Sequence, residues 1–297
     1  MRCLFCKCQS DTAKSIEHIV PESLGNIRGN ERYLLPRGAI CDDCNNYFAR
    51  EVEGPLLAHR SFRNLRAWYQ VPSKKGRFPR LLGTHLSTDI KIGLRVAKEK
   101  DRLRFGPYSV VSEKSLDQKK LSAEMNSSPQ DIGFGFILGD RPPKKLMSRF
   151  LAKMALEAHW RRFEPDAIER LIDEPHYDRI RNWARRGNNY DYWPFSSRII
   201  YPEETLMRHP TTNEWIQTGY GFDLFLNSRR ETFFAFCLYG REYVINVGGP
   251  SIKGYKEWLV ENDFISPLVE SLGYYVRLDA KDETITYYLE ERTQRPE

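Results

Sequence analysis

The residues best suited to chemistry lie close together near the start of the chain. Two Cys-x-x-Cys pairs, Cys3/Cys6 and Cys41/Cys44, bracket a short segment. A Cys-x-x-Cys turn places two thiolates on one side of a tight loop, and two such turns complete the tetrahedral cage that structural Zn²⁺ prefers. The spacing therefore predicts one zinc site. Since four thiolates leave no open coordination position, this zinc is expected to be structural, and catalysis would need a second metal.

Two alternatives to zinc remain open for these pairs. A redox dithiol needs a single pair in a thioredoxin-like setting, and the recurrence of the motif can also be a coincidence. Of the other cysteines, Cys8 is an alternative ligand in the first turn. Cys237 lies in the run Phe-Phe-Ala-Phe-Cys-Leu, which predicts a small buried residue in a strand.

The segment between the two pairs contains Glu17-His18, and Asn45 directly follows the last cysteine. An imidazole titrates near neutral pH, so His18 can take a proton from water. Glu17 and Asn45 offer hard oxygen donors that suit Mg²⁺ or Mn²⁺. Together they predict hydrolysis of a phosphodiester. Adjacent strand residues point to opposite faces, so a shared site requires a bend or bulge at this place. The alternative is a surface Glu17 beside a half-buried His18 that packs the hairpin.

The elements that must position these residues have the order β-β-α. Residues 14–20 and 32–40 are predicted strands, separated by a loop with two Gly-Asn pairs. A short helix is expected to begin with Asp42 as its N-cap and to stop at Gly54-Pro55.

These motifs resemble a known family. Cys-x-x-Cys, Glu-His-Ile-x-Pro-x-Ser-Leu-Gly and Ile-Cys-x-x-Cys-Asn-Asn are similar to the HNH endonuclease superfamily over residues 3–54. The similarity is greatest to the branch with a four-cysteine zinc, which includes a phage endonuclease that resolves branched DNA. The resemblance implies a ββα-metal fold. It also implies that His18 is the general base and that Glu17 and Asn45 hold one catalytic Mg²⁺ or Mn²⁺.

The sequence departs from the family pattern at two places. Glu17 stands where many members have Asp, so its carboxylate extends one methylene further. The Asn that many members carry in the second strand has no counterpart in residues 32–40.

The rest of the chain predicts an α+β fold. The predicted domains are a zinc-stapled ββα-metal (HNH) module at 1–56, a basic linker with some helix at 57–88, and a larger α+β domain of unknown fold and function at 89–297. Within the last domain the pattern predicts an amphipathic helix at 143–163 and a second helical stretch at 165–184. The other expected elements are a helix at 251–261 and strands at 89–96, 102–111, 134–138, 197–201, 220–226, 232–238, 242–247, 274–278 and 284–288.

Charge favours a nucleic acid as partner. The net charge is +6 and the pI is about 8.9. No acidic residue lies between Glu53 and Asp89, where seven basic residues fall, and Arg181, Arg185 and Arg186 predict a further local patch. No segment resembles a base-reading helix, so contacts to the backbone of DNA are expected. Three arginines flank the proposed site and are candidate substrate ligands: Arg28, Arg32 and Arg37.

The predicted function is therefore that of a divalent-metal-dependent DNA endonuclease. The alternative is a non-catalytic, zinc-stapled nucleic-acid-binding or scaffolding protein. No apolar run approaches the roughly 18 residues that span a bilayer. The first motif starts at once after Met1, with no room for a signal peptide, which predicts a cytoplasmic protein without a membrane partner. DNA and RNA are not distinguished by these residues.

Overall fold

A computed structural model places the helices and strands of the chain. It describes residues 1–25, 33–73, 75–85, 90–99, 102–110, 134–136, 138, 141–162, 165–187, 192–208, 212–217, 219–270, 274–281 and 284–291. These residues mix helices with mainly antiparallel sheets, which confirms the α+β class. Among them, no helix has both the length and the apolar character needed to cross a membrane.

The described helices and strands are numbered in chain order. The α-helices are α1 (Asp42–Phe48), α2 (Gly54–Ala58), α3 (Arg60–Trp68), α4 (Lys144–Arg161), α5 (Pro165–Asp173), α6 (Asp178–Arg186), α7 (Lys253–Glu261) and α8 (Pro267–Glu270). The strands are β1 (Leu81–His85), β2 (Lys91–Glu99), β3 (Arg102–Val110), β4 (Phe134–Phe136), β5 (Phe195–Ile199), β6 (Leu206–Arg208), β7 (Trp215–Gln217), β8 (Tyr220–Leu226), β9 (Thr232–Leu238), β10 (Arg241–Asn246), β11 (Tyr274–Lys281) and β12 (Thr284–Glu291). Short 3₁₀ turns occupy Glu22–Leu24 and Pro175–Tyr177, and a π-helical turn occupies Ala49–Glu53.

The chain divides into two compact units. The first contains Met1–Val20, Asn30–Val52 and Lys144–Glu297, and the second contains Pro21–Gly29 and Glu53–Pro143. This division differs from the boundaries predicted after residues 56 and 88. The reason is that the segments that carry the four cysteines contact helices α4 and α6, which lie beyond residue 143.

The first unit is built on the sheet β5-β10-β9-β8. Strand β9 is buried along almost its whole length because both faces of the sheet are covered. Phe233 and Cys237 pack with Tyr255 of α7 on one face, and Phe236 meets Phe150 of α4 on the other at a ring-centroid distance of 6.4 Å. The predicted burial of Cys237 is confirmed. A second sheet, β11-β12-β6-β7, has one parallel pair, β12 with β6.

Helix α4 differs from its prediction. The sequence predicts an amphipathic helix, but almost every residue from Met147 to Trp160 is buried, including Lys153 and Glu157. Sheet residues cover one side, and Arg149 donates Nε to the carbonyl of Ala184 in α6 at 3.1 Å. The N-terminal segment covers another side through Glu17. Charged side chains in a helix enclosed in this way must be paired, because burial of an unpaired charge is costly.

The stretch predicted as one helix after residue 165 is two helices, α5 and α6. Pro175 stands between them, where its ring and missing N–H end the preceding helix. Strands β8 and β9 have the predicted bounds.

The second unit contains the antiparallel sheet β3-β2-β1-β4 and helices α2 and α3. The Asn64 side chain of α3 exchanges two hydrogen bonds with the backbone of Leu82 in β1, at 2.9 and 2.8 Å. Ala67 joins the buried residues of β1 and β2, so α3 packs on this sheet. Helix α3 lies in the segment 57–88, which the sequence predicts as a basic linker with some helix.

Candidate metal centre and candidate active site

The first cysteine pair sits in a tight hairpin turn. The amide of Cys3 donates to the carbonyl of Cys8 at 2.8 Å, and the amide of Lys7 donates to the carbonyl of Cys3 at 2.9 Å. Lys7 closes the turn in the left-handed region, with φ +63°. These bonds place Cys3 and Cys6 in one turn, three positions apart.

The second pair begins helix α1. The N-cap is Cys41, whose sulfur accepts from the amide of Cys44 at 3.4 Å, so the prediction that Asp42 is the cap is wrong. The Asp42 carboxylate instead accepts from the amides of Lys14 and Ser15 and from the Ser15 hydroxyl, at 3.1, 2.9 and 2.6 Å. These bonds tie the segment that leads to Glu17 and His18 to the start of α1.

The four sulfurs of Cys3, Cys6, Cys41 and Cys44 lie within 4.8 Å of one another. The Cys6 and Cys41 sulfurs are 3.6 Å apart, close to the ~3.8 Å expected between thiolates around a tetrahedral zinc. The hydrogen bond between Cys3 and Cys44 lowers the pKa of Cys3 and raises the pKa of Cys44, so the pair shares one proton. The donor set fits the predicted zinc, with Cys3 rather than the exposed Cys8 as the first ligand.

The predicted hairpin is shorter than expected. His18 and Leu34 form an isolated antiparallel bridge, flanked by bonds from the Ile19 amide to the Tyr33 carbonyl at 2.9 Å and from the Leu35 amide to the Glu17 carbonyl at 3.0 Å. Prolines at positions 21 and 36 stand just beyond this bridge and cannot donate to a longer ladder. The pairing still fixes Glu17 and His18 in extended backbone next to the second strand segment.

Glu17 is a buried acid. Its exposed fraction is only 7%, whereas His18 is half-buried, so the alternative of a surface Glu17 is wrong. The Glu17 Oε1 accepts from Lys153 Nζ of α4 at 2.7 Å. The same ammonium lies 2.9 and 3.0 Å from the two carboxylate oxygens of Glu157, one helical turn further along α4. Sequence reasoning missed this triad, although a Lys-Glu pair four residues apart in an apolar helix was a visible signal.

Asn45 lies in α1, directly after the last cysteine, and is half-buried. It is three residues from Phe48, so the two side chains share one side of the helix. The Lys153 ammonium lies 5.8 Å from the centre of the Phe48 ring. The structure therefore brings the Glu17 segment and the helix of Asn45 to the same lysine. Arg37 is exposed, and Arg28 and Arg32 lie outside the described residues.

The N-terminal segment is attached to helices α4, α5 and α6 by three arginines, of which Arg181 is buried. Arg181 of α6 donates Nε to the carbonyl of Leu4 at 2.7 Å and is only 2% exposed, so its assignment to a basic surface patch is wrong. Burial lowers the pKa of its guanidinium. Arg149 of α4 donates to the Tyr47 hydroxyl at 2.8 Å, and Arg2 pairs with two acids of α5.

The described part of the N-terminal segment thus combines a cluster of four cysteines, an extended Glu-His segment with one isolated bridge, and a helix that starts at the cluster. Residues 3–61 match the family model described as HNH endonuclease, so this part of the chain is similar to that family. Comparisons with curated proteins and with solved structures give no significant match.

Proposed function

We propose that this protein is a divalent-metal-dependent endonuclease that hydrolyses phosphodiester bonds in DNA. The observation that supports it most is the HNH-type segment at residues 3–61, in which the cysteine cluster and Asp42 tie the Glu17-His18 segment to the helix of Asn45. In the proposed arrangement the metal bound by the four cysteines stabilises the positions of Glu17, His18 and Asn45.

His18 is the proposed general base. Its half-buried ring lies at the bridge between the two extended segments, so the backbone restricts where the imidazole can reach. In the proposed reaction it takes the proton from the attacking water.

Glu17 and Asn45 would hold Mg²⁺ or Mn²⁺. The donor set, one carboxylate and one amide oxygen, fits either ion, and a carboxylate can accept an ammonium on one oxygen while it binds a metal with the other. The ion, when bound, would polarise the phosphate and stabilise the leaving oxygen. Arg28, Arg32 and Arg37 would bind the phosphates on either side.

The segment between Glu53 and Asp89, which has no acidic residue, offers fewer candidate DNA contacts than its composition suggests. Arg66 is buried, and Arg63 is half-buried with Nε donating to the Arg80 carbonyl at 3.1 Å. Lys75, Arg77 and Phe78 are exposed beside the turn that Ser73 closes. Two cations and an aromatic ring suit phosphate contact with stacking.

The direct test is a plasmid-nicking assay with Mg²⁺ or Mn²⁺. The wild type is expected to nick, and His18→Ala is expected to lose at least about 100-fold in rate, as for removal of a general base. His176→Ala, which removes an exposed ring in the same unit, is the matched control and should cut normally. Equal cutting by His18→Ala would contradict the assignment.

A second candidate is the non-catalytic nucleic-acid-binding protein, which the pairing of Glu17 with Lys153 favours because an ammonium already occupies one oxygen of that acid. It predicts zinc and salt-sensitive DNA binding but no second metal site. Calorimetric titration with Mn²⁺ distinguishes the two: a site that disappears in Glu17→Ala and Asn45→Ala supports the nuclease.

A further inference from the structure

We propose that Lys153 is a positioning residue for the candidate catalytic metal site: its ammonium orients the Glu17 carboxylate and the helix that carries Asn45. This inference rests on the proposed function and extends it to a residue outside the HNH-type segment. Lys153 belongs to α4, in the part of the chain that follows residue 143.

The contacts of Lys153 reach both elements that supply the proposed ligands. Nζ lies 2.7 Å from Glu17 Oε1 in the extended segment and 5.8 Å from the Phe48 ring in α1. Phe48 shares its side of α1 with Asn45. One cation therefore contacts both the segment that carries Glu17 and the helix that carries Asn45.

Lys153 is itself held firmly. Glu157 binds it from the same helix, and the side chains of both residues are fully buried. Phe150, three residues earlier, packs against Phe236 of the central sheet. The sheet and helix of the first unit thus set the orientation of Glu17, and the ammonium has little freedom to move away.

The charge of Lys153 has two opposing effects on a bound cation. It holds Glu17 in one orientation, as partners of metal ligands commonly do. It also repels a metal ion on the same carboxylate. Removal of the Lys153 ammonium is expected to change the geometry of the metal ligands more than the affinity of the site for Mn²⁺.

The test uses the full chain with Mn²⁺ as the probe. Lys153→Met removes the ammonium and nearly conserves volume. Arg149→Met is the matched control, because Arg149 also joins α4 to α1 but reaches the Tyr47 hydroxyl instead of Glu17. If Lys153→Met does not fold, the double variant Lys153→Met/Glu157→Leu replaces the buried pair by apolar groups, a change that proteins often tolerate, and the same measurements apply.

Three results are expected. The electron paramagnetic resonance spectrum of bound Mn²⁺, which reports the symmetry of its ligands, changes in Lys153→Met but not in Arg149→Met. Cleavage at saturating Mn²⁺ falls about 10- to 100-fold in Lys153→Met, while the Mn²⁺ Kd stays within about threefold of wild type. In a Glu17→Gln background, Lys153→Met causes no further change in the spectrum of Mn²⁺ bound at saturating concentration, because it acts through Glu17.

The outcomes separate this inference from the proposed function. An unchanged spectrum and an unchanged saturated rate in Lys153→Met would overturn the role of Lys153 and leave the nuclease intact. A changed spectrum in a protein whose wild type does not cut would support the role of Lys153 and overturn the proposed function alone. A wild type without a Glu17-dependent Mn²⁺ site would overturn both.

Discussion

The Lys153 ammonium lies 2.7 Å from the Glu17 carboxylate, although 136 positions separate the two residues in the chain. Glu17 belongs to the segment that matches the HNH endonuclease model, and Lys153 lies in the central helix of the first unit. The contact joins the module to the rest of that unit through buried charges. Breaking a pair of this kind leaves one charge buried without its partner, which costs several kcal/mol, typically about 3–5.

Removal of one zinc ligand should unfold the N-terminal segment. Cys41→Ser is expected to abolish stoichiometric zinc and to lower Tm by more than about 10 °C, because folding of such sites depends on the metal. Zinc content by mass spectrometry and thermal unfolding measure both effects. Cys8→Ser is the control, since its exposed sulfur lies outside the cluster, and it should retain zinc and Tm. Loss of zinc in both variants would contradict the ligand set.

The attachment of the module through Arg181 should be measurable as stability. Arg181→Met removes the bond to the Leu4 carbonyl in a buried place and is expected to lower the free energy of unfolding by about 2 kcal/mol. Urea unfolding provides the measurement. The exposed Arg170→Met in α5 should change it by less than about 0.5 kcal/mol. An equal change in the free energy of unfolding in both variants would contradict a stabilising role for the bond between Arg181 and Leu4.

Stability should decrease in mild acid because of His159. Burial lowers the pKa of His159 to about 4 from 6.5. A depressed pKa in the folded state means that the stabilisation is fully present above pH 6.5 and is lost as the pH falls toward 4. Between these values the free energy of unfolding of the wild type should decrease as the pH is lowered. This decrease should exceed that of His159→Gln by about 1 kcal/mol per pH unit.

Tyr177→Phe is the control for that measurement. The Tyr177 hydroxyl lies 2.8 Å from the His159 ring nitrogen, but burial is the main cause of the shift, so this variant should keep the wild-type pH dependence. A parallel pH profile for His159→Gln and wild type would contradict the prediction.

The exposed turn at residues 75–78 should contribute to DNA affinity without sequence preference. Lys75→Ala/Arg77→Ala is expected to reduce the slope of log K against log salt by about 2, close to one unit for each phosphate that the variant no longer neutralises. Fluorescence anisotropy over a range of salt concentrations provides the slope. Arg170→Ala serves as an exposed basic control. An unchanged slope in the double variant would remove this turn from the DNA-binding surface.

Local spacing was enough to predict much of the molecule. Cysteines with two residues between them share a turn, so the sequence by itself predicted the two cysteine pairs that form the cluster. The runs rich in aromatic and aliphatic residues at 220–226 and 232–238 were enough to predict the bounds of β8 and β9. Three-residue strands such as β6 and β7 carry no such pattern and were missed.

Only the tertiary structure decided which distant groups meet. Asp42 looked like a helix cap, yet it holds the segment of Lys14 and Ser15, because a cysteine sulfur already caps α1. Lys153 lies in a helix that the sequence predicts as amphipathic, yet the helix is enclosed and its ammonium binds Glu17. The sequence determines which side chains can hold a charge or a metal through short-range turns. The partner of a buried charge depends on packing between distant parts of the chain, which the local pattern of apolar residues does not predict.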